Sequence, residues 1–269
     1  MKILFVHEVS WSNKVVYEMH DFPELLSLRG HDVHFLDFDE GRPRARWKPI
    51  CTVESRAHAG SAVHVTTGPR FLPGILGRLL ATVVQPLLFI YLVRKIKPDV
   101  VVTYSIPTSG WQITSISNRF GIPVVARVID VSHALRNTVF RKLVKRSEQF
   151  VYEHATFVST HNQVLLEYCR ELGARSAGSS VTFPGIDTVR FSPGNRLDNL
   201  RTRLGLSTGD KVLLFMGTLF RFSGLFELLN SLIHPLRQDP ALKFLILGDG
   251  EDLIRLQALV RASKLEGQV

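Results

Sequence analysis

Lys211-Val212-Leu213-Leu214-Phe215-Met216, then Gly217-Thr218-Leu219-Phe220-Arg221-Phe222-Ser223-Gly224, then a helical pattern from Leu225: this stretch decides the fold class. The first six residues read as a strand buried on both faces, and the next eight as a turn rich in small residues. The unit repeats, with a strand from Lys243 to Leu247, a Gly248-Asp249-Gly250 turn and another helix. Strand, glycine turn and helix in succession build a parallel sheet. Two strands are too few for a parallel sheet covered on both faces. The reading therefore expects further strands beyond Val269 and takes the chain as most of a two-domain protein.

Toward the N-terminus the same alternation continues. Candidate strands are Lys2–Val6, Asp32–Phe38, Ala62–Val65, Val100–Tyr104, Val124–Ile129, Thr156–Ser159 and Val181–Phe183. A helix is expected from about Lys14 to Arg29, with Val15, Met19, Phe22 and Leu26 on one face, a kink or restart at Pro23 and a stop at Gly30. Further helices read at Gly74–Ile96, Trp111–Phe120, Thr138–Ala155 and Asn162–Leu172. Pro184 to Arg201 is rich in turn residues and is the natural boundary. The class is α/β: a Rossmann-like domain with a parallel sheet over 1–193 and the first part of a second Rossmann-like domain over 194–269.

Composition narrows the partners. There are 33 Lys+Arg against 24 Asp+Glu, a net charge of +9, which favours anionic ligands. Arg42, Arg44, Arg46 and Lys48 form one basic loop, and Arg141, Lys142, Lys145 and Arg146 a second patch; solvated surface is the ordinary reading of each. Neither has the interleaved aromatics or motif of a nucleic-acid binder, so no nucleic acid is expected. Cys51 and Cys169 stand far apart, which fits a reducing cytoplasm rather than a disulfide framework or zinc site. Ile3 to Val6 is too short for the apolar stretch of a signal peptide. Leu79 to Val93 is strongly apolar but shorter than the ~20 residues of a bilayer span, so it reads as a core helix, with a membrane-surface helix as the alternative. His31 and His34 would point to opposite faces of a strand, so no metal site is expected there.

Several stretches together resemble the family 4 glycosyltransferases of GT-B fold. Met1-Lys2-Ile3-Leu4-Phe5-Val6 with Leu28-Arg29-Gly30-His31-Asp32-Val33 is similar to that family's first strand, helix and turn. Lys97-Pro98-Asp99-Val100-Val101 resembles its entry to the fourth strand, and Pro184-Gly185-Ile186-Asp187 with Phe191-Ser192-Pro193 its approach to the donor domain. Gly217-Thr218-Leu219, Ser223-Gly224 and Gly248-Asp249-Gly250 look like the donor-domain turns. The resemblance implies sugar transfer from a nucleotide-sugar to a glycan or lipid-linked acceptor, with retention and without a bound metal or other cofactor. The donor would lie between the two domains, the acceptor mostly on the first.

Physics supports part of this. Ligands of open α/β sheets sit at the carboxyl ends of the strands. There a glycine turn before a helix offers free amides and the positive end of the dipole to a diphosphate. The donor-binding candidates are Gly217, Thr218, Arg221, Ser223, Gly224, Gly248 and Gly250; a plain turn is the alternative for both loops. Ser223 stands where the family carries a phosphate-binding Lys, and Arg221 can supply the missing cation. By resemblance Asp130, ending the fifth strand, is the catalytic candidate, with a turn cap as the alternative; Ile129 precedes it where many relatives have His. Ser10, Trp11, Asn13 and His133 are the acceptor-side candidates, Trp11 either stacking on a sugar or shielding the core edge. The family's Glu-x7-Glu segment would lie beyond Val269, so this stretch alone is expected to be inactive. The competing expectation is a non-catalytic acceptor-binding module whose partner chain supplies the donor half. Location is expected to be cytoplasmic, with an anionic membrane surface at the inner face of the cell membrane as a candidate partner.

Overall fold

The short β-branched runs pair into one sheet. β1 (Lys2–Val6) is central, bonded in parallel to β2 (Asp32–Asp37) on one side and β5 (Val100–Tyr104) on the other, with Ile3 opposite both Val33 and Val100. Beyond β2 lie β4 (Val63–Thr67) and β3 (Lys48–Val53); beyond β5 lie β6 (Val124–Val128), β7 (Phe157–Thr160) and β8 (Ser179–Val181). The order is β3-β4-β2-β1-β5-β6-β7-β8, parallel except for β3, which runs antiparallel to β4. The computed structural model describes residues 1–38, 48–68, 74–104, 108–135, 140–194 and 198–269. They divide into a unit of Met1–Asp187 and a unit of Thr188–Val269; the boundary expected from sequence follows residue 193.

Alternation along β1 sorts the first unit's core. Ile3 and Phe5 face α1 (Glu18–Leu28), joining Met19, Val33, Phe35 and Tyr104. Leu4 and Val6 face the other way, onto Leu88, Phe89, Leu92 and Val93 of α2 (Gly74–Ile96) and Ile113 of α3 (Gly110–Arg119). After the short α4 (Ser132–Leu135), α5 (Arg141–His154) and α6 (Gln163–Glu171) pack Val151, Tyr152, Leu165 and Cys169 on β6 and β7. Asn162 caps α6 by accepting the Leu165 N–H at 2.8 Å.

Several expectations need correction. α1 begins at Glu18, not near Lys14, and Val15 is exposed ahead of it rather than on its buried face. The helix runs through Pro23 without a break; packing of Met19 and Pro23 in the core outweighs the lost backbone bond. β3 was not expected at all. Lys48-Pro49-Ile50-Cys51-Thr52-Val53 lacks clean alternation, and Pro belongs in strands only at edges, where β3 lies. The last strand of the sheet ends at Val181, leaving Phe183 exposed. The apolar helix α2 packs one face in the core, as a core helix does, while its other face carries exposed leucines and Val83. Arg42, Arg44 and Arg46 lie outside the described residues, as does the expected helix start at Thr138.

In the second unit α7 (Asp198–Arg203) precedes β9 (Lys211–Met216), which pairs in parallel with β10 (Leu242–Leu247), Leu214 opposite Leu245. α8 (Leu225–Gln238) and α9 (Leu253–Ser263) cover one face through Leu225, Leu229, Leu236, Phe244 and Leu256. On the opposite face Leu214, Met216 and Leu247 are 61%, 73% and 59% exposed.

Candidate functional site

The carboxyl ends of the first unit's strands carry a buried polar network. β1 runs into His7 and Glu8, both buried. Glu8 accepts the Thr108 N–H at 2.6 Å, the Thr108 hydroxyl at 2.7 Å and the Ser109 N–H at 3.3 Å. A carboxylate thus sits at the amino end of α3, where the dipole favours it. His7 Nδ1 accepts the Glu8 N–H at 2.9 Å, so Nε2 carries the proton and donates to the Tyr17 hydroxyl at 2.9 Å. The ring stacks on Tyr104 with centroids 5.1 Å apart. Burial, then the charges of Lys14 and His20, push the His7 pKa down to about 3. Burial, then Glu18 and Asp130, push the Tyr17 hydroxyl up. Both groups are therefore neutral near pH 7.

A second anchor crosses the unit. The Arg127 guanidinium on β6 donates to both carboxylate oxygens of Glu18, at 2.8 and 2.7 Å, and its remaining nitrogen reaches the Ser159 hydroxyl and Thr160 carbonyl, each at 2.9 Å. It also lies over the Phe22 ring. This fork fixes the start of α1 against β6 and β7, beneath the loop that holds Asp130.

Asp130, immediately after β6, is half-buried and accepts the Ser132 hydroxyl at 2.7 Å. That bond comes from a side-chain hydroxyl, not from a backbone N–H as in a turn cap. His133 on α4 holds Nδ1 2.7 Å from Glu148 Oε2, and its N–H donates to Glu148 Oε1 at 3.1 Å. The Tyr168 hydroxyl donates to Glu148 Oε2 at 3.2 Å, and its ring stacks on His133. A buried Glu thus fixes the Nδ1–H tautomer, so that Nε2 can accept a hydrogen bond.

Ser10 and Asn13 lie in the loop after β1, Ser10 half-buried and Asn13 exposed. Trp11 does not join them. It is 1% exposed, packed edge-on to Phe35 at 4.8 Å and tilted onto His20, with its backbone N–H, not the indole N–H, donating to Asp37 Oδ2 at 2.8 Å. Its ring closes the core edge, so the sugar-stacking alternative is set aside. His7, Glu8, Tyr17, Glu18, Arg127 and Glu148 were not singled out from sequence. His34 packs against His64 at 4.9 Å between centroids and pairs with Asp32 at 3.0 Å, while His31 lies beside the N-terminal amine. Among the described residues no cluster of His, Cys, Asp or Glu is arranged to hold a metal.

The second unit's rim is built from main chain. Gly217 donates to the Leu247 carbonyl and Leu219 to the Asp249 carbonyl, at 3.0 and 2.9 Å, lacing the two turns together. A Cβ at Gly248 would lie 1.9 Å from the Gly217 carbonyl oxygen, and one at Gly250 would lie 2.6 Å from that of Leu219. These two glycines are demanded by turn-on-turn packing, which alone accounts for them. Gly224 differs: it caps α8 in the left-handed region, φ 68°, with open space around its Cβ position. Ser223 Oγ accepts the Leu225 N–H at 3.4 Å, satisfying one first-turn donor. Thr218 and Arg221 are exposed, and the Arg221 N–H donates to Glu251 at 3.2 Å. Phe220 and Phe222 flank Arg221 as an exposed stacked pair, centroids 5.1 Å apart. The turn thus sets an αL glycine and the exposed Arg221 at the amino end of α8, where the dipole favours an anion.

Comparisons with known proteins give the family and the fold. A family profile described as "Glycosyl transferase 4-like domain" matches residues 19–182. A D-inositol 3-phosphate glycosyltransferase of Nocardiopsis dassonvillei is 31% identical over 134 residues, 47% of this chain and 31% of the relative. The match therefore spans about a third of that relative's length. Sucrose-phosphate synthase of Thermosynechococcus elongatus superposes with a TM-score of 0.73 at 16% identity, over 100% of this chain and 69% of that one. HepE of Anabaena in complex with UDP-glucose does so with a TM-score of 0.66 at 18% identity, over 100% of this chain and 68% of that one.

Proposed function

The chain belongs to the glycosyl transferase 4-like family and has the GT-B type of α/β fold, and from that premise we propose that it moves a sugar from a nucleotide-sugar donor to a glycan or lipid-linked acceptor with retention of configuration. The carrying observation is the turn before α8, where the exposed Arg221 and the left-handed Gly224 directly precede the amino end of the helix. The related fold of HepE, solved with UDP, with UDP and glucose, and with UDP-glucose, supports a nucleotide-sugar as the ligand.

In this reading the bond from the anomeric carbon to the diphosphate breaks while a bond to the acceptor oxygen forms on the same face. The acceptor proton leaves with the diphosphate. Main-chain amides and Arg221 stabilise the charge that builds on the leaving group, which is where preorganised donors act most strongly. Asp130, His133, Ser10 and Asn13 bind and orient acceptor hydroxyls. Glu148 positions His133. No metal takes part. The protein works in the cytoplasm, against the inner face of a membrane that presents the acceptor.

Calorimetric titration with UDP, GDP and ADP, each alone and as its sugar conjugate, tests the donor side. One nucleoside diphosphate should bind preferentially, and Arg221→Ala should weaken it about tenfold, or ~1.4 kcal/mol, while leaving the nucleoside alone unaffected. Equal affinity in the variant removes Arg221 from the site. No binding by any of the six removes the donor reading.

A further inference from the structure

α2 is apolar all the way round, which in a water-facing helix is unexpected. One face is accounted for: Ala81, Leu88, Phe89, Leu92, Val93 and Ile96 are buried, and Gln85 accepts the Ser109 hydroxyl at 2.8 Å. On the opposite face Leu76, Leu79, Val83, Leu87 and Tyr91 are 61%, 50%, 59%, 62% and 43% exposed. Their spacing of three and four places them on one stripe, about 22 Å long at 1.5 Å per residue.

The stripe continues into its neighbours. α3 lies beside α2, with Gln112 donating to the Thr82 carbonyl and Arg94 over the Phe120 ring. α5 lies beside α3, with Trp111 edge-on to Phe150. The outward side of this helix layer adds exposed Trp111, Phe140 and Leu143. It also carries the exposed cations Arg94, Lys95, Arg141, Lys142, Lys145 and Arg146. Between Arg56 and Arg146 the sequence contains only two carboxylates, Asp99 and Asp130. Neither belongs to these helices; farther along α5, Glu148 is buried against His133 and Glu153 is exposed beside Gly173.

We infer that this outer face of α2, α3 and α5 docks on an anionic lipid bilayer. Leucines and Val83 enter the boundary between headgroups and acyl chains, Tyr91 and Trp111 sit at headgroup depth, and the cations meet lipid phosphates. The charge pattern selects this occupant over a second copy of the chain. A twofold contact through this face would set its cations against themselves, with Glu153 the one exposed carboxylate on the three helices. A bilayer span is disfavoured because 33% of the Leu79–Ile96 window is buried in the protein. The inference deepens the membrane location proposed above and is independent of the donor turn.

Flotation with vesicles of phosphatidylcholine, alone or mixed with phosphatidylglycerol, tests it on the whole chain. The mixed vesicles should capture the protein at low salt at least tenfold better than the zwitterionic ones. Val83→Asp with Leu87→Asp should reduce capture more than tenfold, and so should Lys142→Glu with Lys145→Glu, with circular dichroism unchanged. These four side chains are exposed, so folding should survive; the wild-type comparison stands even if it does not. Equal capture by both vesicles, no capture, or resistance to alkaline carbonate extraction overturns the inference. So does a concentration-dependent dimer in the ultracentrifuge that the Val83/Leu87 variant abolishes. Nucleotide titration of the same sample separates the two proposals: nucleotide binding without vesicle capture defeats only the docking face, and the reverse defeats only the donor reading.

Discussion

The two units share one grammar of strand, turn and helix but build their rims from different materials. The first unit's rim is held by buried side chains: Glu8 on the start of α3, Arg127 forked onto Glu18, Glu148 on His133. The second unit's rim is held by backbone, with glycines at 248 and 250 where carbonyls approach too closely for a Cβ. In the proposed function, backbone recognition suits the diphosphate that nucleoside-diphosphate sugars have in common. Side-chain recognition suits acceptors, whose hydroxyl patterns differ. The contrast also predicts how each unit fails.

The largest effect belongs to the fork. Arg127→Met leaves Glu18 charged and unpaired in a site where the two side chains are 3% and 10% exposed. It should cost about 3–5 kcal/mol in denaturant unfolding, with most of the loss recovered when Glu18→Leu is added. The three tryptophans of the sequence, Trp11, Trp47 and Trp111, all precede residue 188, where the second unit begins, so the second unit contributes no tryptophan fluorescence. If the single variant unfolds the second unit's amides equally in hydrogen exchange, the units are not separate in their stability.

Next comes Gly248→Ala, which should cost about 2–3 kcal/mol by forcing the two turns apart. Faster exchange should be confined to 211–263, and nucleotide affinity should fall with it. Gly224→Ala is the sharpening control, since its Cβ meets open space and only the left-handed backbone objects, at roughly 1 kcal/mol. Equal effects at both glycines would mean that turn packing does not distinguish them.

Acid separates the units more gently. His7 titrates near 3 in the folded chain and near 6.5 when unfolded, so between those values the unfolded chain binds the extra proton. Its contribution is complete above pH 6.5 and is lost as pH falls. From pH 6.5 to 5 the first unit should lose roughly 2 kcal/mol. His20 and His34, also lowered chiefly by burial, act in the same direction. His7→Gln should flatten the slope of the fluorescence-monitored midpoint. In the second unit Asp210 and Asp239 are held below the usual carboxylate range by hydrogen bonds from Ser207 and Lys211. Their contribution is present above their unfolded pKa and is lost only at lower pH.

What was legible in the sequence was local. Val100–Tyr104 and Lys211–Met216 announce themselves as strands because the apolar run and its punctuation lie within ten residues. The glycine turns are readable for the same reason, although the demand on Gly248 comes from Gly217, a strand and a helix away. β3 was invisible because an edge strand needs neither alternation nor freedom from proline. Trp11 illustrates a different limit: its identity permits stacking on a sugar or filling a core, and only Phe35 and His20 decide. Arg127 and Glu18 stand 109 residues apart and carry no joint signal. The polar framework behind Asp130 and His133 therefore emerged only from the fold.

Cys51 is exposed on β3, while Cys169 is buried in α6 with its thiol pushed up to about 12, chiefly by burial. A maleimide at neutral pH should therefore find one sulfur in the folded chain and two once the first unit opens. The native protein already carries its own counter: the number of labels per molecule, read by mass as denaturant rises, records the opening of that unit without a single substitution.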